Sequence, residues 1–108
     1  MISVVIPVYN SEATLHELVS RLAAVLPGVA DSFEVVLVND GSHDESWTII
    51  VQFARAHPFV RGLDLERNYG QHNALLAGIR AARGSIIVTM DDDLQHPPEE
   101  LPGLLAAL

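Results

Sequence analysis

Lysine and cysteine are both absent from this 108-residue chain, and each absence closes off chemistry. Without cysteine there is no disulfide framework, thiolate nucleophile or cysteine-based zinc site. Without lysine the phosphate-loop pattern G-x-x-x-x-G-K-[ST] cannot occur. Six scattered arginines face 14 acidic residues, for a formal net charge of −8. No basic stripe is left to neutralise a phosphate backbone, so nucleic acid is excluded as a partner. A phosphate-bearing ligand stays admissible if a divalent cation supplies the positive charge. No apolar run approaches the roughly 20 residues that span a bilayer. No charged leader precedes the first apolar run, and a soluble, cytoplasmic chain is expected. The five histidines (His16, His43, His57, His72 and His96) lack metal-ligand spacing, which assigns them surface or capping roles.

What is present is an alternation of apolar runs and amphipathic stretches, in a composition 49% hydrophobic and 19% charged that fits one globular domain over 1–108. Ile2–Val8, Phe33–Val38, Val60–Leu65 and Ile86–Met90 are β-branched and read as strands. After the first, Asn10 or Ser11 is placed to cap a helix carrying Leu15, Leu18, Val19, Leu22 and Leu26, stopped by Pro27-Gly28. Asp44 is placed to cap a second helix with Trp47, Ile50, Val51 and Ala54 on its core face. A third carries Ala74, Leu75, Gly78, Ile79 and Ala82, with Gly84 as its stop. A fourth begins at Pro98 and carries Leu101, Leu104, Leu105 and Leu108. Continuous apolar strands imply burial on both faces, as in a parallel sheet covered by helices. Four βα units with right-handed crossovers then bring every strand C-terminus to one edge, where ligands of open α/β sheets bind. The chain stops inside the fourth helix and is expected to be the first part of a longer protein.

The polar clusters all fall at that edge: Pro7–Ser11, Asn39–Ser42, Arg67–Gly70 and Asp91–Gln95. The last carries the most chemistry, because Asp91, Asp92 and Asp93 are butted directly onto a strand. Alternation along a strand turns Asp91 and Asp93 one way and Asp92 the other. Two carboxylates aimed at one spot call for a cation, and hard oxygen ligands suit Mg²⁺ or Mn²⁺ on a diphosphate, with Gln95 near enough to add a neutral oxygen. The plainer reading is a solvated acidic loop leading into a helix, which describes Glu99 and Glu100 well. Asp40 is placed to accept from a base or ribose, or to form a routine Asp-Gly-Ser turn. Gly70 opens a helix whose first amides could meet an anion, with Arg67 beside it to complement a diphosphate; plain loop chemistry fits as well. The dinucleotide fingerprint fails, since Pro7-Val8-Tyr9-Asn10-Ser11-Glu12 stands where G-x-G-x-x-G belongs. A phospho-aspartate hydrolase fails too, because its D-x-D should follow the first strand.

In order and spacing, VVIPVYNSE, VVLVNDGSHDES, LERNYGQHNALLAGIRAARG and VTMDDDLQHPPEE resemble successive motifs of family 2 glycosyltransferases with the GT-A fold. The branch they are most similar to transfers sugars to dolichol or undecaprenyl phosphate. The resemblance implies a Rossmann-like GT-A nucleotide-binding half, with four mostly parallel strands alternating with helices. It implies an inverting, metal-dependent transfer from a UDP- or GDP-linked sugar to a polyprenyl phosphate at the cytoplasmic face of a membrane, reached through regions beyond residue 108. By position, Pro7, Tyr9, Asn10 and Glu12 would line the nucleoside pocket. Asp40 would contact the base, with Gly41 and Ser42 shaping that wall. Arg67, Asn68 and Gly70 would sit near the donor. Asp91 and Asp93, with Gln95, would hold Mg²⁺ or Mn²⁺ and carry the catalysis, and Asp92 would lie against ribose or phosphate. At Gln71 the chain departs from many members, which carry lysine there. Taken alone, the chain would act as a nucleotide-sugar-binding half-domain without turnover. The edge strand left where the missing half would pack predicts self-association.

Overall fold

The computed structural model describes residues 1–106. Its element order is β1 (Ile2–Val8), α1 (Glu12–Val25), β2 (Phe33–Asp40), α2 (Ser46–Ala56), β3 (Val60–Leu65), α3 (Gln71–Ala81), β4 (Ile86–Thr89) and α4 (Leu101–Ala106). Short 3₁₀ turns at Leu26–Gly28 and Pro98–Glu100 extend α1 and lead into α4. All strand pairs are parallel, in the order β3-β2-β1-β4. This is the expected α/β architecture, and its register places Val8 beside Asn39 and Asn39 beside Asp64 at one sheet edge.

Side-chain alternation splits the core into two. Val4, Ile6, Val8, Val35 and Leu37 pack with Leu15, Leu18, Leu22 and Ile50 of α1 and α2. Val5, Val36 and Val38 on the opposite face pack with Ala74 of α3. All seven residues of β1 are buried, because this strand has a neighbour on each side and helices on both faces. Gly78 lets α3 lie close: a Cβ there would collide with the Val5 side chain and come within 2.9 Å of Val38 Cγ2.

Several expectations are corrected. β4 is not buried; it is an edge strand, and Ile86 and Ile87 are 41% and 39% exposed. Its β-branched sequence reports strand preference and cannot report whether a partner covers it. β2 runs two residues past Val38, so Asn39 and Asp40 belong to the strand. Ile79 is exposed rather than core, and Val51 only half-buried, while Ile49 takes its place in the core. Gly84 is not the stop of α3, which ends at Ala81; a Cβ on Gly84 would lie 2.6 Å from the Met1 carbonyl and from Ser3 Oγ. Leu104 is 57% exposed. Leu108 lies outside the described residues.

Candidate functional site

The C-terminal edge of the sheet is built from three loops tied to one another. Asn10 adopts a left-handed backbone (φ 50°) and Oδ1 of its side chain accepts from the His43 amide at 2.7 Å. Ser42 Oγ accepts from Asn10 N, Ser46 Oγ from Ser11 N, and Asp44 Oδ2 from Glu12 N. Glu12 in turn accepts from the Glu45 amide. Asn10, Glu12 and Ser42 thus brace the β1–α1 loop against the β2–α2 loop. Ser11 occupies the N-cap position of α1 without capping it, and Asp44 accepts from Ser46 N at 2.9 Å while reaching across to α1.

The second brace joins β2–α2 to β3–α3. Gly41 has φ 70°, and a Cβ on it would collide with the Asn68 amide and lie 2.6 Å from the Arg67 carbonyl carbon. Asp40, 3% exposed, accepts from Tyr69 N at 2.8 Å, and Asn68 Oδ1 accepts from Gly70 N. Gly70, at φ 95°, then turns the chain into α3. Arg67 lies over the Tyr69 ring at 5.0 Å, a cation–π contact.

β4 ends at Thr89 and a turn follows at Asp92 and Asp93, so strand alternation does not run through all three aspartates. Asp91, Asp92 and Asp93 all line one cleft of about 170 Å³ with Pro7, Val8, Tyr9, Asp40 and Gln71. Asp92 is the anchor of this turn. Its Oδ2 accepts from Tyr9 N at 3.0 Å and from Ser11 Oγ, while its carbonyl accepts from Thr14 Oγ1 at 2.7 Å. Asp91 Oδ1 accepts from Gln71 Nε2 at 3.0 Å, and Asp93 Oδ1 from Gln95 N at 3.1 Å. Leu94 takes a left-handed backbone (φ 64°), unusual for a branched residue, with its side chain packed on the larger core. Further on, Arg21 of α1 grips Glu99; that hydrogen bond is the main cause holding the Glu99 carboxyl below its ordinary value.

Of the residues expected at the site, Pro7, Tyr9, Asp40, Asp91, Asp92 and Asp93 meet in the cleft. Asn10, Glu12, Gly41, Ser42, Asn68 and Gly70 brace the loops behind it without lining it, Arg67 lies over the Tyr69 ring, and Gln95 is exposed. Sequence reasoning missed Thr14 and Ser46, whose hydroxyls make contacts more than 30 residues away and leave no local signal. A larger hollow of about 800 Å³, with Leu75, Val88, Met90, Leu101 and Leu104 in its walls, adjoins Asp91 on the β4 side. The smaller cleft gathers Asp40, Asp91, Asp92 and Asp93, whereas the larger one is lined by Asp91, Glu99 and Glu100 beside its apolar walls.

A divalent cation fits the donor set in a limited way. Among the described residues no three acidic or histidine side chains form a metal cage. Two carboxylates completed by ligand phosphates are, however, the usual Mg²⁺ arrangement, and Asp91 and Asp93 can supply them.

An open parallel sheet with its polar loops gathered at the strand C-termini defines an α/β protein whose ligand site lies at that edge. Residues 3–108 match the model of glycosyl transferase family 2, and the chain belongs to that family. It is 52% identical over 107 residues to an undecaprenyl-phosphate 4-deoxy-4-formamido-L-arabinose transferase of Shewanella sediminis, covering 97% of this chain and 32% of the relative. The transferase of the same name from Aeromonas hydrophila is 47% identical over 108 residues, 99% of this chain and 33% of its own length. The chain therefore spans about a third of the curated relatives it matches. The fold is similar to that of S. aureus TarS 1-349 in complex with UDP-GlcNAc, with a TM-score of 0.81 at 29% identity, covering 98% of this chain and 30% of that one. It is also similar to the mannosyltransferase PcManGT of Pyrobaculum calidifontis in complex with GDP-Man and Mn²⁺, with a TM-score of 0.79 at 26% identity, covering 92% of this chain and 29% of that one. The sheet thus has the α/β fold of GT-A glycosyltransferases, as expected.

Proposed function

We propose that this chain is the donor-binding portion of a glycosyltransferase that moves a sugar from a nucleoside-diphosphate sugar to a polyprenyl phosphate, with inversion at the anomeric carbon. The observation that carries the reading is the convergence of Asp40, Asp91, Asp92 and Asp93 on one cleft at the C-terminal sheet edge. The relatives named for transfer to undecaprenyl phosphate support the acceptor, and the neighbours that bind UDP-GlcNAc and GDP-Man support the donor.

Asp40 and Tyr9 receive the nucleoside, and the braced loops of Asn10, Glu12, Ser42 and Asn68 keep that wall rigid. Asp91 and Asp93, with Gln95 beside them, would hold Mg²⁺ or Mn²⁺. When bound, such a cation stabilises the charge of the departing nucleoside diphosphate. Asp92, clamped to Tyr9 and Ser11, keeps the two outer carboxylates in place and has Oδ1 left for the ribose or phosphate. A phosphate acceptor is already largely ionised at neutral pH, with a second pKa of about 6, so the reaction needs no general base from this chain. The transfer takes place at the cytoplasmic face of the membrane.

For the chain by itself, binding without turnover is the second reading. A cleft of about 170 Å³ has room for a cation and a diphosphate. Ligand pockets ordinarily run to roughly 300–1,000 Å³, so this cleft alone does not enclose donor and acceptor together. Titrating UDP and GDP by calorimetry, with and without Mn²⁺, tests the site. Binding that requires Mn²⁺ and disappears in Asp93→Ala is expected; metal-independent binding, or full binding by that variant, refutes it.

A further inference from the structure

We propose that Gln71 is a positioning residue that sets how tightly the carboxylate pair takes a divalent cation, by holding Asp91 with a donor that carries no charge. This inference rests on the cation reading of Asp91 and Asp93 given above. Gln71 is the first residue of α3, and its Nε2 donates to Asp91 Oδ1 at 3.0 Å. The contact is built, because three features fix where α3 begins. Asp40 captures Tyr69 N, Asn68 Oδ1 captures Gly70 N, and Gly70 turns at φ 95°. The amide therefore reaches Asp91 from a fixed platform.

The charge of the cleft makes the neutrality of that donor matter. Its eight lining residues include Asp40, Asp91, Asp92 and Asp93 and neither lysine nor arginine. Arg67, close in sequence, lies over the Tyr69 ring and does not line the cleft. Asp92 is clamped by Tyr9 N and Ser11 Oγ, and Asp93 Oδ1 accepts a backbone amide, so Gln71 is the side-chain donor to the outer pair. A charged donor in its place would neutralise Asp91 and repel a cation a few ångströms away. An amide takes one oxygen, fixes the carboxylate plane and leaves its charge intact. The carboxylate pair would then keep a measurable affinity for a cation by itself, which diphosphate oxygens would raise further.

The test is Mn²⁺ binding to the nucleotide-free chain, read from the electron paramagnetic resonance signal of free Mn²⁺. The wild type is compared with Gln71→Lys, Gln71→Glu and Asp91→Asn, each checked for an unchanged thermal midpoint. Gln71→Lys keeps a donor on a side chain one atom longer, and should weaken Mn²⁺ about tenfold or more, in the range seen when outer partners of metal ligands are changed. Gln71→Glu should tighten it. Opposite shifts from side chains of similar reach support the inference, since local damage would weaken both. Unchanged binding in both variants, or weakening in both, overturns it while leaving the cation site standing. Failure of the wild type to bind, or full binding by Asp91→Asn, overturns the cation reading and this inference together.

Discussion

Asp92 and its two neighbours look alike in sequence and are held by different things in the structure. Asp91 and Asp93 each have one oxygen occupied by a single donor, whereas Asp92 is bound through Tyr9 N, Ser11 Oγ and, at its carbonyl, Thr14 Oγ1. Asp92→Ala keeps the carbonyl bond but leaves Tyr9 N and Ser11 Oγ without their Oδ2 partner, and should cost about 1–3 kcal/mol of stability, a fall in midpoint that urea unfolding would read directly. Asp91→Ala, which loses only the Gln71 contact and relieves repulsion in an acidic cleft, should stay within about 0.5 kcal/mol of the wild type in the same assay. A second residue of this kind is Glu34, 4% exposed at the opposite end of the sheet. Burial alone would raise its pKa, but hydrogen bonds from Arg83 N, Ser3 Oγ and Arg61 outweigh that and hold it below the ordinary glutamate value. A carboxylate depressed on folding stabilises above its unfolded pKa, about 4.3, and loses that contribution as pH falls through the folded value. Glu34→Gln should thus lower stability at pH 7 and flatten its decline below about pH 4, as urea midpoints across pH would show.

Among the elements, α3 and β4 have opposite needs. α3 lies close to the sheet only because Gly78 has no side chain, and Gly78→Ala would force Val5 and Val38 apart. Overpacking of that kind costs about 1–3 kcal/mol, against the gain usually expected from alanine in a helix, and the sign of the change in thermal midpoint decides between them. A smaller midpoint confirms the close approach. β4 has spare surface instead. Among the described residues it pairs with β1 alone, so one side of the strand has no neighbour in the sheet, and it exposes Ile86 and Ile87 on opposite faces. Its position matters because the aspartates hang from its end, with Met90 N still bonded to Val5 O.

For the whole molecule, an exposed apolar edge strand on a chain of −8 charge sets two tendencies against each other. Long-range repulsion is screened beyond about 8 Å at physiological salt, and the unpaired edge then dominates. The chain is expected to self-associate reversibly through β4 as salt and concentration rise, by sedimentation velocity. Ile87→Lys should return it to a monomer at an unchanged thermal midpoint; a clean monomer of the wild type at high concentration would contradict this.

The sequence by itself determined the alternation of four strands and helices, the parallel sheet and the edge where polar clusters gather. It could do so because burial on both faces demands continuous apolar runs such as Ile2–Val8, and because glycine and proline punctuate the loops. The family followed from the order and spacing of four motifs, which are properties of the chain. What only the tertiary structure decided is which groups the loops bind to. Asp92 met Tyr9 across 83 residues, Thr14 reached it across 78, and Gln71 met Asp91 across 20. β4 lay exposed because a strand sequence records local preference and one's own side chains, while burial depends on what another part of the molecule lays over it.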